Sequence, residues 1–388
     1  MKIATKIIHD GEIKSEYNPI SIPVYRTSTF GFDSVEEFKA IRKKLYQGDQ
    51  AFNYTRISNP TCYALEKKIA MLENAEAAVT AGSGMGIIGT TLLSFLKKGD
   101  HILVDSELYS STSELVKDVL PTFGVEYTEV DFNKLDLVKK SLKGNTKVVY
   151  FESPTNPGLK INDIQKICEI VHRINKNIKV IIDGTITSPY LQQPLSLGCD
   201  IVLHSLTKYI NGHGDVVGGV ASGKQKDIER IRLYGRKMIT GSILSPDDAF
   251  LVLRGIKTLN LRMQQHCASA LAVATYLSKN PYVKKVNYPG LKSHPNYLIA
   301  KKQMVHGFGG IISFETNLTC AQTAKFVDSL QLFKVAVSNG DPISLVTHSA
   351  TMFPDHKPDS FVRFSIGLED SEDLINDINN AFKKVKSK

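Results

Sequence analysis

The 388 residues are 42% apolar and 22% charged, with a formal charge of +9, the profile of a soluble globular protein long enough for two hydrophobic cores. No apolar run reaches membrane-spanning length, and Met1-Lys2-Ile3-Ala4-Thr5-Lys6 lacks the apolar stretch of a secretion signal, so a cytoplasmic protein is expected. Five scattered cysteines without a CxxC pair suggest neither a disulfide framework nor a metal site, and the lysines alternate with acids instead of forming a nucleic-acid-binding stripe.

Residues 1–53 read as an arm with little core of its own, which must pack on something, another subunit being the natural candidate. Pro19 and Pro23 interrupt it, and one amphipathic helix, Ser34–Leu45, opens with a Ser-x-x-Glu capping box. In Tyr54-Thr55-Arg56-Ile57-Ser58-Asn59-Pro60-Thr61, Asn59 caps a helix that has Pro60 at its first position. Tyr54 and Arg56 alternate on an extended segment and so share a side, where a phenol and a guanidinium can meet one phosphate. Taken alone, the pair is better read as a solvated arginine and a partly buried tyrosine.

Strand Ala77–Ala81 runs into Gly82-Ser83-Gly84-Met85-Gly86 and a helix to Phe95. Free amides and the positive dipole end suit an anionic group, although the full GxGxxG spacing of a dinucleotide site is absent. Strands are then predicted at His101–Val104, Val125–Glu129, Val148–Glu152, Val180–Asp183, Ile201–Leu203 and Val217–Ala221, with helices around Thr112–Pro121, Lys134–Leu142 and Asp163–Asn175. This alternation predicts a mostly parallel sheet covered on both faces, whose ligands gather at the carboxyl ends of strands. Tyr109, Asn156, Asp183 and the turn around Lys208 all fall there.

Lys208 follows a buried strand in His204-Ser205-Leu206-Thr207-Lys208, with Gly212, Gly214, Gly218 and Gly219 beyond it. Flanked by two small hydroxyls, the amine is placed to trap a carbonyl as a Schiff base while Ser205 and Thr207 hold an anion. Asp183 caps a turn or, beside pyridoxal phosphate (PLP), keeps its ring nitrogen protonated; Asn156 would donate to the ring's phenolic oxygen and Tyr109 would stack on its face. Beyond Ser245 come a long helical region, Pro246–Ser278, strands near Lys285–Tyr288 and Gly310–Glu315, a helix Ala321–Leu330, a strand carrying Arg363, and a final helix. Arg363 between aromatic neighbours is either half of a buried ion pair or a fork for a substrate carboxylate.

Together Tyr54–Thr61, Gly82–Gly86, Tyr109, Glu152–Pro157, Asp183, Ser205–Asp215 and Phe361–Asp370 resemble, in order and across nearly the whole chain, the cystathionine/methionine γ-lyase family of PLP enzymes. The resemblance implies an α/β fold of the aspartate-aminotransferase-like kind (fold type I): an arm (1–53), a PLP-binding domain with a mostly parallel sheet (54–244) and a smaller α+β domain (245–388), assembled as a homotetramer of two catalytic dimers. It makes Lys208, Tyr109 and Asp183 catalytic. Gly84, Met85, Ser205 and Thr207 would hold the cofactor phosphate, joined by Tyr54 and Arg56 from the neighbouring subunit. Asn156, Ser338 and Arg363 would hold the substrate.

Val337 stands where cystathionine-processing members carry a glutamate, and Asn53 where they often carry an acid, so the likeness is greatest to methionine γ-lyases. Two positions that bear on substrate preference depart from that pattern: Ser111 replaces a cysteine, and Met238 follows Lys237 in a loop expected at Gly235–Gly241. The implied reaction is α,γ-elimination of methionine or homocysteine and β-elimination of cysteine, releasing methanethiol or hydrogen sulfide. Cystathionine γ-lyase, desulfhydrase and sulfhydrylase or γ-synthase activities are the nearby alternatives. A non-catalytic PLP-fold regulator and a dinucleotide oxidoreductase are the distant ones, the latter giving Lys208 and Asp183 no role.

Overall fold

In the computed structural model, residues 1–9, 11, 17–46, 51–348 and 358–386 are described. Strands β1 (Ala77–Ala81), β2 (His101–Asp105), β3 (Glu126–Val130), β4 (Thr146–Glu152), β5 (Lys179–Asp183), β6 (Ile201–Ser205) and β7 (Gly219–Gly223) form one sheet in the order β1–β7–β6–β5–β4–β2–β3. Only β7 runs antiparallel to its neighbours. Alternation fills both faces, as the pleat requires. Ile102, Val104, Val148, Tyr150, Ile181 and Leu203 enter one core, and Leu103, Val149, Phe151, Val180, Ile182 and Val202 enter the other, beneath the helix Ile164–Ile174.

Strand β7 begins two residues later than expected. The shift places Gly219 where a Cβ would lie 2.2 Å from the Ser83 carbonyl oxygen, so β7 is flush against the start of the helix Gly84–Phe95. The loop expected at Gly235–Gly241 is instead the end of a helical run through Gln225–Arg230 and Ile231–Thr240, closed by left-handed Gly241. Gly235 is there for close packing: its Cβ would lie 2.2 Å from Ser94 Oγ. Lys237 and Met238 therefore sit on a helix.

The second sheet, β8 (Val283–Asn287), β9 (Ile311–Thr316), β10 (Lys334–Val335), β11 (Leu345–His348) and β12 (Phe361–Ser365), has the order β10–β11–β12–β9–β8. Its core holds Phe314, Phe326, Phe364 and Phe382. The long helical region breaks into Pro246–Ile256 and Leu259–Leu277; the first piece buries Val252 and Ile256 with Leu65 and Ile69 of the helix Pro60–Leu72. At that helix's start Asn59 Oδ1 accepts from Thr61 N at 3.0 Å.

An unforeseen helix, Ile3–His9, also joins this core through Ile7, while Tyr17, Ile20 and Val35 stay exposed. In the helix Val35–Tyr46, Ser34 Oγ accepts from Glu37 N at 3.0 Å, but the Glu37 carboxylate takes the amide of Asp33.

Glu66 ties several of these pieces together. Its carboxylate accepts from Thr80 N at 2.8 Å and pairs with Arg232 at 2.7 Å and Arg236 at 3.4 Å, and Arg236 also donates to the carbonyls of Ile57 and Thr80. Burial alone would raise the Glu66 pKa, but the two guanidiniums hold it below the usual carboxylate value. Glu66→Ala leaves buried Arg236 uncompensated and should cost about 3–5 kcal/mol in chemical denaturation; a loss of under about 1 kcal/mol would contradict this account of the network.

Candidate active site

Lys208 rides on the turn after β6. Leu206 N bonds to Gly218 O (2.9 Å) and Gly212 N to Lys208 O (2.8 Å). From the helix Leu259–Leu277, buried Arg262 donates to the carbonyls of Tyr209 (2.7 Å), Ile210 (3.3 Å) and Gly255 (2.8 Å). Gly212, at φ +68°, is required twice, because a Cβ would lie 1.8 Å from Arg262 Nη1. Arg262 was not foreseen from the sequence; a lone arginine on a helix carries no local sign of such a partner.

The Lys208 ammonium donates to Ser338 Oγ at 2.7 Å. Burial above all, together with Arg363, lowers its pKa, while Asp341 opposes the shift. Ser338 adopts φ +97°, a conformation that costs an L-residue energy and tends to occur where side-chain aim matters.

Lys208 lines a cavity of about 400 Å³ with Gly84, Met85, Tyr109, Asn156, Asp183, Ser205, Thr207, Val337, Ser338 and Arg363. At one end Ser83 caps the helix Gly84–Phe95 by accepting from Gly86 N at 2.9 Å, so the amides of Gly84 and Met85 have no acceptor within the helix. Ser205 lies so near that a Cβ on Gly84 would be 3.0 Å from its Cβ. The Thr207 hydroxyl meets Gly218 N at 3.1 Å. Two first-turn amides, a dipole end and two hydroxyls are the donors a phosphate needs.

Asp183, at the end of β5, accepts from Thr185 N at 2.9 Å. Burial raises its pKa, and no lysine or arginine pairs with it among the described residues. A protonated ring nitrogen would supply the missing positive charge. Glu152, its neighbour across the β4–β5 pair, is pushed well above the usual carboxylate range by burial and by Asp183. Tyr109, 42% exposed at the cavity, donates its backbone amide to Glu152 Oε1 at 2.6 Å. The residues present thus fit PLP: anion donors, a carboxyl without a cationic partner among the described residues for the ring nitrogen, and an amine, all lining one cavity.

Arg363 on β12 is buried, and among the described residues it has no acidic partner of the kind a structural ion pair would need. It donates to Asn156 Oδ1 (2.9 Å) and Ser338 O (3.1 Å), and its Nε has no partner. Burial lowers its pKa to about 10. A buried guanidinium whose partners among the described residues are neutral oxygens has the chemistry to receive a small carboxylate. Val337, 62% exposed, forms an apolar rim.

Tyr54, Arg56, Asn53 and Ser111 do not line this cavity. Arg56 lies over the Tyr54 ring, 5.4 Å from its centroid, and donates to Lys237 O at 2.8 Å, while Ser111 sits in the first turn of the helix Ser110–Glu114. Ser110, Thr185, Ile186 and Asn339 line the cavity without having been singled out in the sequence.

The family model "Cys/Met metabolism PLP-dependent enzyme" matches residues 4–383. An L-methionine gamma-lyase of Fusobacterium nucleatum subsp. nucleatum is 44% identical over 99% of this chain and 98% of its own. A cystathionine beta-lyase of Lactococcus lactis subsp. cremoris is 40% identical over 98% and 99%. The crystal structure of metB from Corynebacterium glutamicum superposes with a TM-score of 0.92 at 38% identity, covering 99% of this chain and 98% of that one.

Arg363→Gln should weaken the protection that a small carboxylate gives in thermal unfolding, with Kd rising at least about tenfold. Unchanged protection would show that the anion binds elsewhere.

Proposed function

The chain belongs to the Cys/Met metabolism PLP-dependent enzyme family, and from that premise we propose that this lyase cleaves the carbon–sulfur bond of compact sulfur amino acids. Methionine with water gives methanethiol, ammonia and 2-oxobutanoate. Homocysteine, in the same way, and cysteine, by β-elimination, give hydrogen sulfide. The observation that carries this reading is the join of Lys208, Ser338 and Arg363 at one cavity wall beside neutral, apolar Val337.

The chemistry that PLP supplies when bound is a carbonyl to take up an amino group and a ring to accept electrons. Lys208 Nζ, whose proton is weakened by burial, would take the proton from the substrate's α-carbon and return protons later in the cycle. Arg363 and Asn156 would clamp the α-carboxylate, presenting the α-proton to that amine. Asp183 would hold a proton on the ring nitrogen, the side chain of Tyr109 would cover the ring, and Gly84, Met85, Ser205 and Thr207 would anchor the phosphate. Of the two relatives above, the methionine γ-lyase is the more similar, at 44% against 40% identity. Val337 offers no carboxylate to the distal ammonium of cystathionine, nor would Asn53 if the neighbouring subunit brought it to the cavity, and unpaired burial of that ammonium would cost several kcal/mol.

The assembly in this reading is a homotetramer of two catalytic dimers. What supports a shared site in this reading is that the Tyr54–Arg56 pair, held through Lys237 O, lies outside this chain's own cavity, where it would serve a neighbour's phosphate site. Five free cysteines, including Cys168 and Cys199 with sulfurs 3.7 Å apart, suit a reducing cytoplasm.

Assayed on methionine, homocysteine, cysteine and cystathionine, the enzyme should favour the compact substrates. Val337→Glu should shift the kcat/KM ratio toward cystathionine by about tenfold; an unmodified enzyme that already cleaves cystathionine far better would overturn the pocket argument. Arg56→Ala should weaken PLP binding, and mixing those subunits with Lys208→Ala subunits should restore part of the activity, since one site per hybrid dimer is intact. A fully active monomer would refute the shared site.

A further inference from the structure

Two carboxylates cross between the loops that carry Tyr109 and Asn156. Glu152 ends β4, is 4% exposed, and accepts from Tyr109 N at 2.6 Å. Its own carbonyl is held by Asn162 Nδ2 at 2.8 Å. In the opposite direction Glu107, two residues before Tyr109, reaches over the loop after β4. Its Oε2 accepts from Thr155 Oγ1 at 2.8 Å and its Oε1 from Gly158 N at 3.0 Å. A Cβ on Gly158 would lie 2.3 Å from that Oε1, so a side chain at 158 would push the carboxylate from this position. Between those two anchor points sits Asn156, whose Oδ1 takes the Arg363 guanidinium at 2.9 Å.

We infer that Glu107 and Glu152 are positioning residues: a reciprocal clasp that sets Tyr109, Asn156 and, through Asn156, Arg363 as one unit around the cavity. The inference rests on the proposed carbon–sulfur lyase reading and adds residues to which that reading gives no role. The two arms act on different ends of the site. Glu152 fixes the backbone from which the Tyr109 side chain projects, so it governs retention of the cofactor. Glu107 fixes the Asn156 loop, so it governs recognition of the substrate carboxylate.

The two arms are tested separately. Glu107→Ala should raise KM for methionine or cysteine about tenfold while kcat changes less than about threefold, the split expected when an aligning hydrogen-bonded carboxylate is lost. Equilibrium dialysis of cofactor-free protein against PLP should give an unaltered Kd for that variant. Gly158→Ala, which pushes the carboxylate off the loop without removing it, should raise KM in the same way. The double variant should be no worse than Glu107→Ala alone, because both changes remove one contact.

Glu152→Ala should weaken PLP binding in dialysis by about tenfold, and Glu152→Gln, which keeps an acceptor for the Tyr109 amide, should stay within about threefold of the unmodified protein. Unchanged KM in both Glu107→Ala and Gly158→Ala, additive effects in the double variant, or equal PLP affinity of the two Glu152 variants would overturn the clasp. A wild-type protein that releases no thiol from any sulfur amino acid would instead overturn the lyase reading, and the dialysis would still report on Glu152.

Discussion

Two hydrogen bonds that cross between the sheets define this site: Lys208 Nζ to Ser338 Oγ at 2.7 Å, and Arg363 Nη1 to Asn156 Oδ1 at 2.9 Å. In each, one partner follows a strand of the seven-stranded sheet and the other belongs to the region of the five-stranded sheet. Neither sheet alone holds a complete constellation. The rest of the architecture sets the ends of those two bonds. Arg262 pins the lysine turn, Gly219 seats β7 under the N-terminus of the helix Gly84–Phe95, and the packed phenylalanines of the second core fix β12 and with it Arg363.

Burial acts on the four ionisable groups Lys208, Asp183, Glu152 and Arg363 of the cavity in the same sense, toward neutrality. It lowers Lys208, raises Asp183 and brings Arg363 down to about 10. A ligand with a cationic ring nitrogen beside Asp183 and a carboxylate beside Arg363 reverses the penalty at both ends. In the proposed reaction the remaining amine, less willing to hold its proton, is the group that would take one from carbon. On that proposal, the burial penalty falls where a bound cofactor and substrate would offset it.

Much of this was legible in the chain because it is local. Apolar runs ending in a polar residue gave the strands, and the rule that ligands sit at strand ends singled out Asp183, Asn156 and Lys208 before any geometry was known. Illegible features depend on distant partners. Arg363 and Asn156 are 207 positions apart, and their pairing leaves no periodic trace. Gly235 read as a loop because its role, admitting Ser94 at close range, belongs to helix packing. The antiparallel course of β7 is set by neighbours on both sides, and the short helix Ile3–His9 is held chiefly through Ile7 and bonds from Lys68 to its carbonyls.

The central claim is that the amine at Lys208 is the one that meets the cofactor's carbonyl. Borohydride reduction of the PLP-loaded protein, followed by digestion and mass mapping, tests it directly. The account predicts one modified peptide, carrying reduced PLP on Lys208 within Ser205-Leu206-Thr207-Lys208-Tyr209. Reduced cofactor fixed to any other lysine, or spread over several surface lysines with Lys208 unmodified, would contradict it.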